Sequence, residues 1–225
     1  MLDAIAGTLK LQGFRSDGRL CPGEQIGETI GAIRNRSSEG LGLNKRDAVL
    51  DLLEGKEQEY VPAGFFVHFD ESCHKGQPAI DKHLEYFRYT GMDFVKIQYE
   101  NPFPAIPEIR RPEDWARMPL YKREFYEAQL DVVKGLVEAA RQEALVIMTL
   151  YSPFMMTQFT TRSLELINDH IKENPDEVKK GMEIITDSLM IFVKECVRLG
   201  VDGFYTSTEG CLLYTSDAAD DFAVV

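Results

Sequence analysis

The chain has no apolar run long enough to cross a bilayer; its longest, such as residues 144–151, falls far short of the roughly 20 residues a membrane helix needs. Its first residues show no basic segment followed by an apolar stretch, so they do not read as a secretory signal. Positive charge is scarce as well. Lys and Arg number 25 against 37 Asp and Glu, and the net charge of −12 opposes a phosphate backbone or an anionic membrane as partner. These absences point to a cytoplasmic protein that contacts neither membrane nor nucleic acid. Paired cysteines are also missing: Cys21, Cys73, Cys196 and Cys211 show no CxxC spacing, which fits a reducing compartment better than a disulfide framework. His68, Cys73 and His74 lie close in sequence, but without paired ligand spacing they read as a loop, and no metal site is expected among them. No GxGxxG follows the first expected strand and no phosphate-cradling loop occurs, which weakens a nucleotide-binding reading.

What is present is a regular alternation of helix and strand signals from Asn44 onward. Residues 1–43 carry Gly, Ser and Arg with little periodicity. They are read either as upstream sequence that is not translated or as a genuine extension, and any peptide from them in the native protein would exclude the first. Asn44 with Asp47 resembles a capping arrangement, Val49, Leu50 and Leu53 form an apolar face, and Gly55 stops the helix. Residues 60–69 make a nearly unbroken apolar run, the expected first strand, buried on both faces. Ile80, Leu84 and Phe87 repeat at helical spacing before Gly91, and residues 93–98 give a second strand.

The proline-containing stretch 102–119 is a loop with a turn at 112–115, and Trp115 in it is read either as a lid or as a packed cluster. Phe125, Leu130, Val133, Val137 and Ala140 mark the next helix, and residues 144–150 a third strand. Asn174 as cap, Pro175, and acids at 176 and 177 start a long helix that runs to Gly200, after which residues 201–206 form the fourth strand. Strands alternating with helices imply parallel pairing through right-handed crossovers, in a doubly wound sheet or a barrel.

The residues 44–62, NKRDAVLDLLEGKEQEYVP, resemble the opening helix and approach to the first strand of uroporphyrinogen decarboxylase-like proteins. YSPFMMTQF at 151–159 is similar to that family's stretch around a Gly-x-Pro-Phe-Thr loop, and residues 171–210 match its Asn-Pro helix start and its Gly-x-Asp-Gly strand. The resemblance covers residues 44–210 and implies a (β/α)8 TIM barrel, of which about four β/α units, the N-terminal half, are present. It also implies either a porphyrinogen decarboxylase or a methyltransferase that moves a methyl group between a corrinoid (cobalamin) protein and a thiol. The decarboxylases carry an Arg-x-Ala-Gly-Arg loop after the first strand, where this chain has Phe66-Val67-His68-Phe69-Asp70, and the family's usual Asp after the fourth strand is replaced by Ser207-Thr208-Glu209. An octa-anionic tetrapyrrole needs guanidinium groups, which a mouth of Asp70, Glu100 and Glu209 lacks. The methyltransferase-like branch therefore fits better, with a corrinoid protein as the implied partner and zinc held by a His-x-Cys pair and a later Cys in the second half of the barrel. A carboxy-lyase and a barrel that only binds a tetrapyrrole-like ligand stay as alternatives.

Residues 211–225 break the pattern. The run CLLYTSDAAD shows no amphipathic periodicity and resembles the translation of a transposase mosaic-end adapter, so this stretch is read as adapter sequence and the chain as an inactive fragment with unpaired strand edges. In a barrel, function sits at the carboxyl ends of the strands. The expected catalytic residues are accordingly His68, Glu100, Tyr151 and Glu209, with Asp70, Lys96, Gln98, Asn101, Ser152, Tyr205 and Ser207 as substrate-binding candidates. Lys96 is expected to pair with Asp70 or Glu209, while Phe65, Phe66, Phe94 and Phe154 are assigned to the core.

Overall fold

The structure, a computed structural model, describes residues 44–57 and 61–208. Its first helix, α1 (Lys45–Leu53), begins where the Asn44 side chain accepts from the Asp47 N–H at 3.1 Å, the capping expected from sequence. Only Lys45, Ala48 and Val49 of this helix are buried, so the apolar face of Val49, Leu50 and Leu53 is corrected: Leu53 is 74% exposed. A short 3-10 turn (Glu71–Cys73) leads to α2 (Gly76–Thr90), which Gly91 ends in the left-handed conformation at φ 68°. Strand β1 (Phe94–Ile97) follows, then the proline-containing loop with 3-10 turns at Pro112–Arg117 and Arg123–Tyr126, then α3 (Glu127–Ala140) and β2 (Leu145–Tyr151). Two helices without a forecast from periodicity, α4 (Pro153–Thr161) and α5 (Leu164–Glu173), precede α6 (Pro175–Leu199) and β3 (Gly203–Ser207). The YSPF stretch is thus a helix start, with Ser152 as its cap and Pro153 at its first position.

The three strands form one parallel sheet in the order β1, β2, β3. Register places Lys96 opposite Ile147 and Ile147 opposite Gly203, Thr149 opposite Tyr205, and Tyr151 opposite Ser207. Because side chains alternate between faces, these levels stack on one side of the sheet. The other side carries Val95, Ile97, Val146 and Met148, all fully buried in the apolar core that the helices complete. A crossover helix must cover each parallel connection, so β1 and β2 present apolar residues on this side.

The expected first strand is corrected. Residues 61–70 run extended beside β1 without strand pairing, Tyr60 lying outside the described residues. The segment is tied to the residue before β1 at its start, where the Asp93 N–H donates to the Ala63 carbonyl at 2.9 Å and the Ala63 N–H to the Asp93 carboxylate at 2.8 Å. Farther along, side chains take the amides that close the end of β1. The Gln98 N–H donates to His83 Nε2 at 3.0 Å and the Glu100 N–H to Gln129 Oε1 at 3.0 Å. Burial in residues 61–70 also alternates rather than covering both faces: Phe65, Val67 and Phe69 are half-buried, Phe66, His68 and Asp70 exposed. Phe69 packs edge-on against His83 and Tyr86 of α2.

The proline-containing loop is packed into the helical layer. Trp115 is fully buried and donates from Nε1 to His170 Nδ1 of α5 at 3.0 Å, while its ring lies where a Cβ on Gly181 of α6 would come within 2.7 Å. Of the two readings for this loop, the packed cluster is the one observed. Asn174 stands at the start of α6 but makes no side-chain capping bond, because its N–H closes α5 on the His170 carbonyl at 2.9 Å and its backbone serves both helices.

Candidate functional site

The carboxyl ends of the strands gather His68, Glu100, Tyr151, Tyr205 and Ser207 around one cavity of about 490 Å³. All five were expected, from separate segments of sequence spanning about 140 residues; the parallel register brings Glu100, Tyr151, Tyr205 and Ser207 to one rim, and His68 joins them from the unpaired run at 61–70. Tyr151 and Ser207 stand at the same level of the sheet, and the Ser152 N–H donates to the Ser207 carbonyl at 2.9 Å to hold the two strand ends together. Glu100 leans into the cavity from the end of β1. Its Oε1 lies 3.4 Å from His68 Nδ1 and its Oε2 3.7 Å from His74 Nε2, and that nitrogen donates to the Phe69 carbonyl at 2.9 Å. The carboxylate is nearly buried, with 11% of its side chain exposed, whereas His68 is open to solvent at 57%. A proton can therefore pass between His68 and bulk water while Glu100 orients the ring.

Lys96 lies one step deeper. Its ammonium is buried between two rings that face the cavity, 4.4 Å from the Phe66 centroid and 3.6 Å from that of Tyr205, and burial lowers its pKa from the ordinary lysine value. The expected pairing with Asp70 is not formed. Asp70 instead caps the 3-10 turn, accepting from the Ser72 hydroxyl at 2.6 Å and the Ser72 N–H at 3.0 Å, which holds its carboxyl below the ordinary range. The other expected partner, Glu209, lies outside the described residues. Phe66 is likewise corrected from core to cavity wall, being 49% exposed, while Phe65 and Phe154 pack against the core as expected.

Three remaining candidates are placed in structural duties. Asn101 donates to the Phe125 carbonyl at 2.9 Å, and the Ser152 hydroxyl accepts from the Met155 N–H at 3.2 Å. Gln98 is buried, its carbonyl accepting from Gln129 Nε2 at 3.2 Å and its side-chain oxygen left without a partner. The rim also includes Tyr99, Met155 and Phe159, which sequence reasoning missed. Met155 and Phe159 sit four residues apart on α4, so their shared face would have been legible had that helix been recognised. His74 was dismissed as a loop residue and stands instead against Glu100. Among the described residues no three His, Cys, Asp or Glu side chains gather as metal ligands. Cys196 is buried in the core, and burial pushes its thiol up to about 12.

A parallel sheet with helices on its buried side and a cavity at the strand ends defines an α/β protein, and the cavity lies where such folds place their sites. The uroporphyrinogen decarboxylase (URO-D) family model matches residues 87–223, more than half of the chain, and the chain belongs to that family. Among solved structures, it is similar to a methyltransferase from Methanosarcina mazei, at 13% identity and a TM-score of 0.54. That alignment covers 72% of this chain and 58% of the methyltransferase, and at such identity the likeness is one of fold. No curated protein matches.

Proposed function

We propose that the chain forms about four β/α units of a (β/α)8 barrel, and that the protein is a methyltransferase-like member of its family acting with a corrinoid partner. The observation that carries this is the charge of the cavity: among the described residues its lining holds the carboxylate of Glu100 and no arginine or lysine. A porphyrinogen bearing many carboxylates would meet repulsion there and no guanidinium fork to offset it. His68 serves as general acid or base, positioned by Glu100, while the Tyr151 and Ser207 hydroxyls orient the ligand. Glu209, the remaining catalytic candidate, lies outside the described residues. A corrinoid supplies a methyl-carrying cobalt, held by the partner protein. Zinc, which the resemblance implies, finds no three-ligand set among the described residues, so no step is assigned to it.

The test is methyl transfer from methylcobalamin to a small thiol by the protein expressed from its complete gene, followed by the cobalamin absorbance change. His68→Ala is expected to lower kcat/KM by roughly 100-fold or more, the loss typical of a general acid or base. Porphyrinogen decarboxylation without methyl transfer would replace this reading with the carboxy-lyase alternative.

A further inference from the structure

The cavity combines features that together specify a ligand charge. Among the described residues, five of its lining side chains are phenyl or phenol rings, namely Phe66, Tyr99, Tyr151, Phe159 and Tyr205, and Glu100 is the one ionisable lining residue apart from His68 and the tyrosines. The Glu100 carboxylate is mostly buried, yet among the described residues no Lys or Arg pairs with it. Its neighbours are imidazoles at 3.4 and 3.7 Å, and the nearer proton of His74 is committed to the Phe69 carbonyl. Among the described residues no side chain of fixed positive charge compensates a carboxylate so placed.

The rings answer the same need. Aromatic faces carry negative potential, and the protein itself demonstrates this by laying the Lys96 ammonium against Phe66 and Tyr205 at 4.4 and 3.6 Å. Tyr99, Tyr151 and Phe159 form a second ring cluster in the same lining as Glu100, with centroids 5.4 Å apart in both the Tyr99–Tyr151 and the Tyr151–Phe159 pair. Lys96 has its own rings and lies beneath them, so it does not fill this cluster.

We propose that the cavity binds an organic cation of the N-methylated ammonium class, its charged head against the rings of Tyr99, Tyr151 and Phe159 and beside the Glu100 carboxylate. Methylation follows from the lining. A methylated head needs only ring faces and a counter-charge, which the rings and the Glu100 carboxylate supply, while the Tyr151, Tyr205 and Ser207 hydroxyls are left to the polar remainder of the ligand. This names the ligand class for the site of the proposed methyl chemistry and rests on that reading only in sharing its cavity.

The experiment uses three probes of one shape and different charge on the full chain: choline, the neutral 3,3-dimethylbutan-1-ol and the anionic 3,3-dimethylbutanoate, each titrated by calorimetry or ligand-observed NMR. Choline is expected to bind at least about tenfold more tightly than the alcohol, with the carboxylate weaker still. Glu100→Gln should weaken choline by about tenfold and leave the alcohol unchanged. Lys96→Met should tighten choline severalfold, because it removes a like charge from behind the shared rings. Equal binding of choline and the alcohol, or preference for the carboxylate, overturns the proposal, and this comparison on the unaltered chain decides even if a variant fails to fold. Choline bound without methyl transfer sinks the methyltransferase reading alone. Methyl transfer with no preference for the cation sinks this one alone.

Discussion

The two ends of the sheet are built on opposite terms. At the amino ends, Arg46 of α1 grips the Asp202 carboxylate with two hydrogen bonds of 2.9 and 2.5 Å, and the same carboxylate accepts the Val146 N–H at 2.8 Å. Lys45 is buried beside it, donating to the Gly91 and Met92 carbonyls at 3.3 and 3.1 Å with its ammonium over the Phe87 ring. At the carboxyl ends the charged groups stay loosely met: His68 and Glu100 at 3.4 Å, Lys96 among rings, Gln98 Oε1 and Thr149 Oγ1 buried without partners. Satisfied polar groups stabilise, and unsatisfied ones cost stability unless something else meets them. The difference teaches that α1 and the strand starts hold the structure, while the strand ends carry polar groups that the fold leaves unmet, as the proposed ligand site requires.

The comparison can be broken or sharpened by substitution, each variant followed by urea unfolding. The largest loss is expected for Trp115→Ala, about 4 kcal/mol, since it empties a fully buried site between the loop and α6 and strips His170 of its donor. A loss under about 1 kcal/mol would mean that the loop is not packed as described.

Next comes acid. His83 is buried, its Nδ1–H donating to the Ala79 carbonyl at 2.7 Å and its Nε2 accepting from the Gln98 N–H, and burial depresses its pKa from 6.5 to about 4. Its folded pKa lies below the unfolded one, so the unfolded chain binds the extra proton first as pH falls. Stability is then full above pH 6.5 and about 3 kcal/mol smaller by pH 4, provided His83 dominates that window. His83→Gln should flatten this dependence; an unchanged slope would assign it elsewhere.

Asp202→Ala follows at about 2 kcal/mol, below the figure for a fully buried ion pair because 18% of the Asp202 side chain and 26% of that of Arg46 stay exposed. Burial alone would raise the Asp202 pKa, but Arg46 and the Val146 N–H outweigh it and hold the carboxyl low. This contribution is therefore present above the unfolded carboxylate pKa and lost as pH falls through the folded one. At the rim, Glu100→Gln should change stability by no more than about 0.5 kcal/mol while altering ligand binding. A destabilisation as large as that of Asp202→Ala would erase the contrast between the two ends.

Much of the rim was readable because strand ends are marked by a switch from apolar to polar residues. Glu100, Tyr151 and Ser207 each stand at such a switch, and parallel pairing brings them together, whereas His68 reaches the rim from an unpaired run. Asp70, Asn101 and Ser152 stand at the same kind of boundary and turn instead to local backbone groups. Sequence cannot separate the two outcomes, since short polar side chains compete equally well for a ligand and for a nearby N–H. Likewise the apolar run at 60–69 was legible as extended chain, but its missing partnership with β1 depends on His83, a residue of the following helix.

By itself, the sequence determined the helix and strand alternation, the caps at Asn44 and Gly91, the parallel pairing and the family resemblance, because these depend on local periodicity and backbone preference. Only the tertiary structure decided that Phe66 leaves the core to sandwich Lys96 with Tyr205, that Trp115 locks the loop to His170, and that His74 stands beside Glu100. Those contacts join residues tens of positions apart, and what selects them is the fit of volumes and charges once the sheet and helices have met.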